Sequence, residues 1–188
     1  MPTTFTKGDL FSATGLSAVA HGCSCAGAMD SGVSAAFKKR FPGMFDDYKA
    51  RCDDKRFALG DVLVWNEGDL AVYTLCIQEH WKSKAKLAAF QAALKKMVSL
   101  AELAGVARVG MPRIGAGLGG LDWLRVRRIL QDTGKETKVT LVVFEQFVRQ
   151  EPRTPKPEGA SDGVASSRVA EPASVAAPLS AEDLADVT

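Results

Sequence analysis

Met111-Pro-Arg-Ile-Gly-Ala-Gly-Leu-Gly-Gly-Leu-Asp-Trp123 is the stretch on which the fold turns. It joins an apolar run, Val106 to Met111, to an amphipathic segment that begins near Leu121. The first reads as a strand and the second as a helix. Gly115, Gly117, Gly119 and Gly120 lie at the crossing. Glycine tolerates positive φ and close backbone approach, so successive N–H groups can converge on one oxygen-rich anion. The start of the following helix adds unpaired N–H groups and the positive end of its dipole. These features predict a cradle for a diphosphate.

A second glycine-rich crossing from strand to helix spans Gly22 to Gly32. Around the two crossings the chain alternates. Thr4–Lys7 and Leu16–His21 read as strands, Val33–Arg40 as a helix, and Pro42 opens another helix running to about Cys52. Asp61–Trp65 and Leu70–Ile77 read as strands joined by a turn at Asn66-Glu67-Gly68-Asp69. Leu87, Phe90, Leu94, Met97 and Leu100 recur at helical spacing, which predicts a helix over Lys84–Leu103 ended by Gly105. Strand Val106–Met111, helix Leu121–Thr133 and strand Lys138–Phe144 follow. This pattern predicts an α/β protein with one sheet covered by helices on both faces. Loops leaving the carboxyl ends of neighbouring strands in such a sheet flank a ligand crevice, so the two glycine loops are expected to grip one ligand from opposite sides.

Gly115-x-Gly117-x-x-Gly120 also matches the dinucleotide fingerprint. That fingerprint needs its first glycine directly after the strand, and here Pro112-Arg113-Ile114 intervenes. A single strand remains before the tail, too little for a βαβαβ half, so hydride transfer is set aside. No Gly-Lys-Ser/Thr follows either loop, which excludes a Walker A site.

Hydrophobic residues make up 46% and charged residues 24% of the 188 positions, ordinary values for a globular protein. The net charge of +2 hides an asymmetry. Residues 151–188 hold seven acids against Arg153, Lys156 and Arg168, which leaves that segment at −4 and residues 1–150 at +6. A basic body suits an anionic ligand or polymer, although a solvated surface has the same composition. The same segment carries five of the eight prolines and no aromatic residue, so a disordered acidic tail is expected, with a helical turn at Ser180–Leu184. The expected division is a folded domain over 1–148 and a Pro/Ala/Ser-rich tail over 149–188. Cys23, Cys25, Cys52 and Cys76 form no disulfide framework, and with His21 and His80 as the only histidines no metal site is predicted. The chain has no membrane-spanning run and its first residues lack an apolar signal core, so a cytoplasmic, monomeric protein without a cofactor is expected.

Four segments together resemble the macrodomain family. They are Lys7-Gly8-Asp9-Leu10-Phe11, Ala20-His21-Gly22-Cys23-Ser24, Met29-Asp30-Ser31-Gly32-Val33 with Phe37–Phe41, and Met111–Trp123. Their order and spacing are similar to the branch that holds terminal ADP-ribose protein glycohydrolases and the bacterial DNA ADP-ribosylglycohydrolase antitoxins. The resemblance covers residues 3–147. It implies a three-layer α/β/α fold with a central mixed sheet and a site for ADP-ribose. By that resemblance Asp9, beside Leu10, meets the adenine amine. Ser24, Met29, Asp30, Ser31, Gly32 and Val33 wrap the distal ribose. Ile114, Gly115, Ala116, Gly117, Leu118 and Gly119 hold the diphosphate. Phe144 packs on adenine, and His21 sits at the strand end beneath the site. Asp9 could equally shape a turn, Phe144 could be plain core, and a satisfied structural role suits His21.

The implied reaction breaks the anomeric C1″ bond of an ADP-ribosylated protein or DNA through an oxocarbenium-like state. In that branch a lysine after the central strand attacks C1″ and an aspartate in the second loop assists. Here Gln78 and Gly119 fall at those positions. An amide cannot form a Schiff base and glycine carries no acid. Asp30, Ser24 and Gln78 are therefore the catalytic candidates, with Asp30 orienting water or stabilising charge at C1″. Asp30 could instead cap the helix that follows, in competition with Ser31. The function expected is a hydrolase of mono-ADP-ribosyl linkages, carboxylate-linked on protein or nucleobase-linked on DNA, that works without the lysine. The alternatives are a non-catalytic ADP-ribose reader and an ADP-ribose 1″-phosphatase.

Overall fold

Residues 3–147 are described in a computed structural model of the chain. The expected tail over 149–188, with its turn at Ser180–Leu184, lies outside the described residues. The elements are β1 (Thr4–Lys7), β2 (Ala18–Ser24), α1 (Gly32–Arg40), α2 (Pro42–Asp53), β3 (Val62–Glu67), β4 (Leu70–Gln78), α3 (Leu87–Leu103), β5 (Arg108–Pro112), α4 (Trp123–Glu136) and β6 (Thr140–Gln146). The strands form one mixed sheet in the order β1-β6-β5-β2-β4-β3. All pairs are parallel except β3–β4, a hairpin closed at Gly68, whose φ is +59°. A left-handed residue at a two-residue turn favours glycine, as the sequence has it.

The period-2 alternation of a strand divides the core into two layers. On β4, Ala71, Tyr73, Leu75 and Ile77 pack with Phe90, Leu94 and Met97 of α3 and with Val126 and Leu130 of α4. Val72 and Cys76 point the other way, to Phe37 of α1 and to Met44 and Tyr48 of α2. Both faces of the sheet are thus covered, giving the expected three-layer α/β/α arrangement. No helix among the described residues is long and apolar enough to cross a membrane. All four cysteines are free thiols.

Three differences from the sequence reading have a common cause in packing. The second strand runs over Ala18–Ser24, past the expected end at His21, because Gly22, Cys23 and Ser24 pair with β4. Gly22 is a strand residue: a Cβ on it would stand 2.7 Å from Ile77 Cδ1 and 2.9 Å from Ile114 Cγ2. Its small size serves close packing, a recognised use of glycine inside a strand. Helix α4 continues through Gly134 to Glu136, and a Cβ at Gly134 would collide with Thr3, so this glycine also makes room for a neighbour. Helix α3 starts at Leu87, three residues later than expected, because Ala85 N–H donates to Gly119 O and Lys86 N–H to Ile77 O.

β2 and β5 lie side by side and parallel, at the centre of the sheet. β2 leads into α1 on one face and β5 leads into α4 on the other. Their carboxyl ends therefore open a crevice at a topological switch point.

Candidate ligand cleft

The crevice holds a cleft of about 570 Å³, within the roughly 300–1,000 Å³ usual for small-molecule sites. Its three walls are the β2–α1 loop with the start of α1, the β5–α4 loop, and the β4–α3 segment. The loops meet at the mouth, where Leu118 Cδ1 lies 3.4 Å from the position a Gly32 Cβ would take. Gly32 has a φ of +58°, so a side chain there would be strained as well as crowded.

The β5–α4 loop folds on four main-chain hydrogen bonds: Ile114 to Pro112, Ala116 to Arg113, Gly120 to Gly117, and Leu121 to Gly115 at 2.8 Å. Gly115, Gly117, Leu118 and Gly119 line the cleft. Among the described residues their N–H groups donate to no protein acceptor. Gly119 is packed so closely that a Cβ would stand 2.8 Å from Gly115 O. A run of unpaired amides on one loop can take up an anion without a lysine.

Sequence reasoning gave the helix contribution to the segment after Leu121. The structure puts a carboxylate there: Asp122 is the N-cap of α4 and accepts Leu124 N–H at 2.9 Å. The open helix start belongs to α1, whose N-cap Ser31 makes no side-chain cap. Among the described residues the N–H groups of Gly32, Val33 and Ser34 also donate to no protein acceptor, and all three residues line the cleft. Four orphan donors are the normal state of a helix start, and a ligand can satisfy them.

Ser24, Asp30 and Gln78 are brought together on the cleft lining. Ser24 is buried, its Oγ accepts Ala26 N–H at 3.3 Å, and Tyr48 holds its carbonyl at 2.7 Å. Asp30 caps nothing. Its carboxylate accepts from Lys38 Nζ at 2.8 Å, with the side chain 74% exposed. Gln78 Nε2 donates to Ser83 O at 2.6 Å, which leaves Oε1 without a protein donor among the described residues. Met29, Ser31, Gly32, Val33, Ile114, Gly115, Gly117, Leu118 and Gly119 complete the expected residues on the lining.

Five expected residues stand outside it. Ala116 lies in the loop, half-buried. Leu10 is buried against the α1–α2 layer. Asp9 forms a turn, accepting Phe11 N–H at 2.9 Å and Ser12 Oγ at 2.7 Å. Phe144 is half-buried on β6, where its register partner on β5 is Pro112, a lining residue. Asp9 and Phe144 thus occupy the β1–β6 shoulder beside the cleft. His21 is fully buried: its ring stacks on Phe37 with centroids 4.1 Å apart, Nδ1 donates to Gly22 O, and Nε2 lies 3.0 Å from the Thr74 hydroxyl. Burial lowers its pKa to about 3, so the ring is neutral. Among the described residues no three His, Cys, Asp or Glu side chains are grouped to hold a metal ion.

Sequence reasoning missed Trp81 and Arg113, both on the lining. An isolated tryptophan in the polar stretch Gln78–Lys86 between a buried strand and a helix is the signal that could have found the first.

A switch-point cleft walled by two amide-lined loops and an open helix start has the donors that suit an anionic, diphosphate-bearing ligand. The chain belongs to the macro domain family, whose pattern it matches across residues 20–130. It is 31% identical over 131 residues to the DNA ADP-ribosyl glycohydrolase of Mycobacterium tuberculosis, covering 68% of this chain. The chain spans 37% of the length of that relative. It is 28% identical over 141 residues to the human ADP-ribose glycohydrolase OARD1, covering 75% of this chain and 90% of the human protein. The solved macrodomain of Mycobacterium tuberculosis DarG superposes with a TM-score of 0.72 at 28% identity, covering 76% of this chain and 96% of that one.

Proposed function

We propose that this chain is an ADP-ribosyl glycohydrolase that removes mono-ADP-ribose without a lysine nucleophile. One observation carries the reading. The unpaired amides of Gly115 and Gly117–Gly119 and the open start of α1 line the same cleft as Ser24, Asp30 and Gln78. The first set suits a diphosphate and the second suits the sugar beyond it. The names of the relatives support the chemistry. The four free thiols fit a reducing compartment such as the cytoplasm.

In the proposed step water adds to C1″ as the bond from C1″ to the leaving atom breaks. The leaving group departs with the bonding electron pair. Asp30 stabilises the positive charge that develops at C1″ and takes the proton that water sheds, which later passes to solvent or to the leaving group. Gln78 Oε1 and the Ser24 hydroxyl orient the water and the ribose. Lys38 holds the Asp30 carboxylate in place but, as an exposed pair, adds little stability.

Single-turnover release of ADP-ribose from glutamate-modified protein and from thymidine-modified single-stranded DNA tests the proposal. Asp30→Ala is expected to slow release about 100-fold with ADP-ribose affinity nearly intact. An unchanged rate removes Asp30 from the mechanism. Tight binding of ADP-ribose with no release from either substrate leaves a reader in place of an enzyme.

A further inference from the structure

All four cysteines of the chain meet in one place. Cys23, Cys52 and Cys76 are buried in the layer between the sheet and helices α1 and α2, and Cys25 packs against the same cluster. Cys23 on β2 is the register partner of Cys76 on β4. Cys25 lies just past the end of β2, where its N–H donates to Gln78 O at 2.8 Å. The Cys23 and Cys25 thiols both come within hydrogen-bonding reach of the Cys76 sulfur. Cys52 of α2 sits beneath the loop, its Cβ 3.4 Å from where a Gly27 Cβ would stand. Among the described residues these thiols are not disposed to hold a metal ion, and the proposed hydrolysis uses none of them.

The four are not equivalent. Cys23, Cys52 and Cys76 are at most 8% exposed, whereas Cys25 presents part of its surface to solvent. Burial pushes the Cys23, Cys25 and Cys52 thiols up, while hydrogen bonds from Cys23 and Cys25 hold the Cys76 thiol below its usual value. Negative charge in the cluster therefore settles on Cys76, and a proton leaving Cys25 has an acceptor beside it. Cys23 is fixed inside the β2–β4 ladder, so its backbone cannot move without disturbing the sheet. Cys25, in the loop, is under no such restraint from the ladder.

We infer that Cys25 and Cys76 are a redox-sensitive pair, which a peroxide oxidises to a disulfide that displaces the ribose side of the cleft. The Cys25 sulfur attacks one peroxide oxygen while its proton passes to the Cys76 thiolate. The O–O bond breaks, leaving a sulfenic acid on Cys25 and a hydroxide that takes a proton from solvent. The Cys76 sulfur then attacks the Cys25 sulfur, the S–O bond breaks, and water leaves with the Cys76 proton. Two thiols thus lose two electrons and two protons, and the peroxide is reduced to two waters. Intracellular disulfides of this kind are transient, in keeping with the reduced thiols seen here.

The consequence for the cleft follows from what flanks Cys25. Ser24 Oγ accepts Ala26 N–H at 3.3 Å, and the Ser24 carbonyl accepts from Tyr48 at 2.7 Å. Drawing the Cys25 sulfur onto β4 turns the chain between these anchors. The Ser24 hydroxyl and the loop leading to Asp30 then leave the positions from which they line the cleft. This consequence rests on the reading that the cleft holds ADP-ribose; the disulfide itself does not.

The full chain, reduced and then freed of reductant, is treated with hydrogen peroxide, alkylated, digested and mapped by mass spectrometry. Cys25 should be joined to Cys76 with Cys23 and Cys52 alkylated, the fragment spectra separating Cys23 from Cys25. Calorimetry on the same samples should show ADP-ribose affinity falling about fivefold or more on oxidation and returning with dithiothreitol. Cys25→Ala and Cys76→Ala should keep their affinity through the same treatment. Cys76 bridged to Cys23 or Cys52, or no disulfide at all, would overturn the inference from wild type alone. So would an unchanged affinity in the disulfide form, or an equal loss in treated Cys25→Ala, which would place the damage elsewhere. Absence of ADP-ribose binding by the reduced wild type is a different result: it removes the hydrolase reading and leaves the mapped disulfide to be judged by itself.

Discussion

Adding a methyl group at Gly119 or at Gly117 should have opposite consequences for stability, although the two glycines lie two residues apart in one loop. A Cβ at Gly119 would stand 2.8 Å from Gly115 O, 3.1 Å from Gly115 Cα and 3.1 Å from Ala85 Cβ. The first two are backbone atoms, which no rotamer change can move. Relief requires the loop to shift, and that strains the Leu121–Gly115 and Ala85–Gly119 hydrogen bonds. A Cβ at Gly117 would meet nothing within 4 Å and would project into open space at the cleft. Both alanine variants gain the same unfolded-state term, about 0.4–1 kcal/mol, so their difference isolates the strain. Overpacking of this kind costs about 1–3 kcal/mol, or about 2–12 °C in Tm for a domain of this size. Urea and thermal unfolding of the two variants should show that gap, with Gly117→Ala at or above wild type. Calorimetry with ADP-ribose should show weaker binding for both, through loop displacement at 119 and through direct obstruction at 117. Stabilities that agree within about 0.5 kcal/mol, well below the strain expected, would refute the packing argument.

Acid should destabilise the domain through His21. Its folded pKa is about 3, below the unfolded value near 6.5, so the ring stays neutral in the fold while the unfolded chain takes up a proton. That contribution is complete above pH 6.5 and declines by up to about 1.4 kcal/mol per unit as pH falls toward 3. Urea unfolding from pH 4 to 8 should show the wild type losing its advantage over His21→Gln on acidification, and parallel curves would exclude His21 as the source. Gly119→Asp, which puts an acid where the glycohydrolase branch has one, should weaken ADP-ribose binding at least about tenfold, the order of the strain at that position, and should not accelerate release. Faster single-turnover release by that variant would show that the loop accommodates a side chain after all.

Much of this was legible locally. Thr4–Lys7 is a strand as read, and most other elements lie within three residues of their expected bounds, because periodicity and turn chemistry are short-range properties. The glycine loop after Met111 reads as an amide cradle for the same reason. Glycines at 115, 117 and 119 leave three of the four unpaired N–H groups without a side chain of their own beside them.

Non-local contacts decided the rest. That β2 neighbours β5 depends on pairing strands about ninety residues apart in the chain, and that pairing makes two glycine loops into one cleft. Gly22 and Gly134 look like loop and helix-end residues in isolation; they are small because Ile77, Ile114 and Thr3 approach them from elsewhere. Which helix start stays open was equally hidden. Asp122 and Ser31 are both good caps by type, yet one side chain bonds its helix and the other does not. Trp81 became a site residue because its turn is tied to Gly119 and Gln78, contacts that no pattern of neighbouring residues encodes. The sequence by itself determined the local chemistry of each loop; tertiary packing alone decided which loops face one another, because that choice minimises the free energy of the whole core.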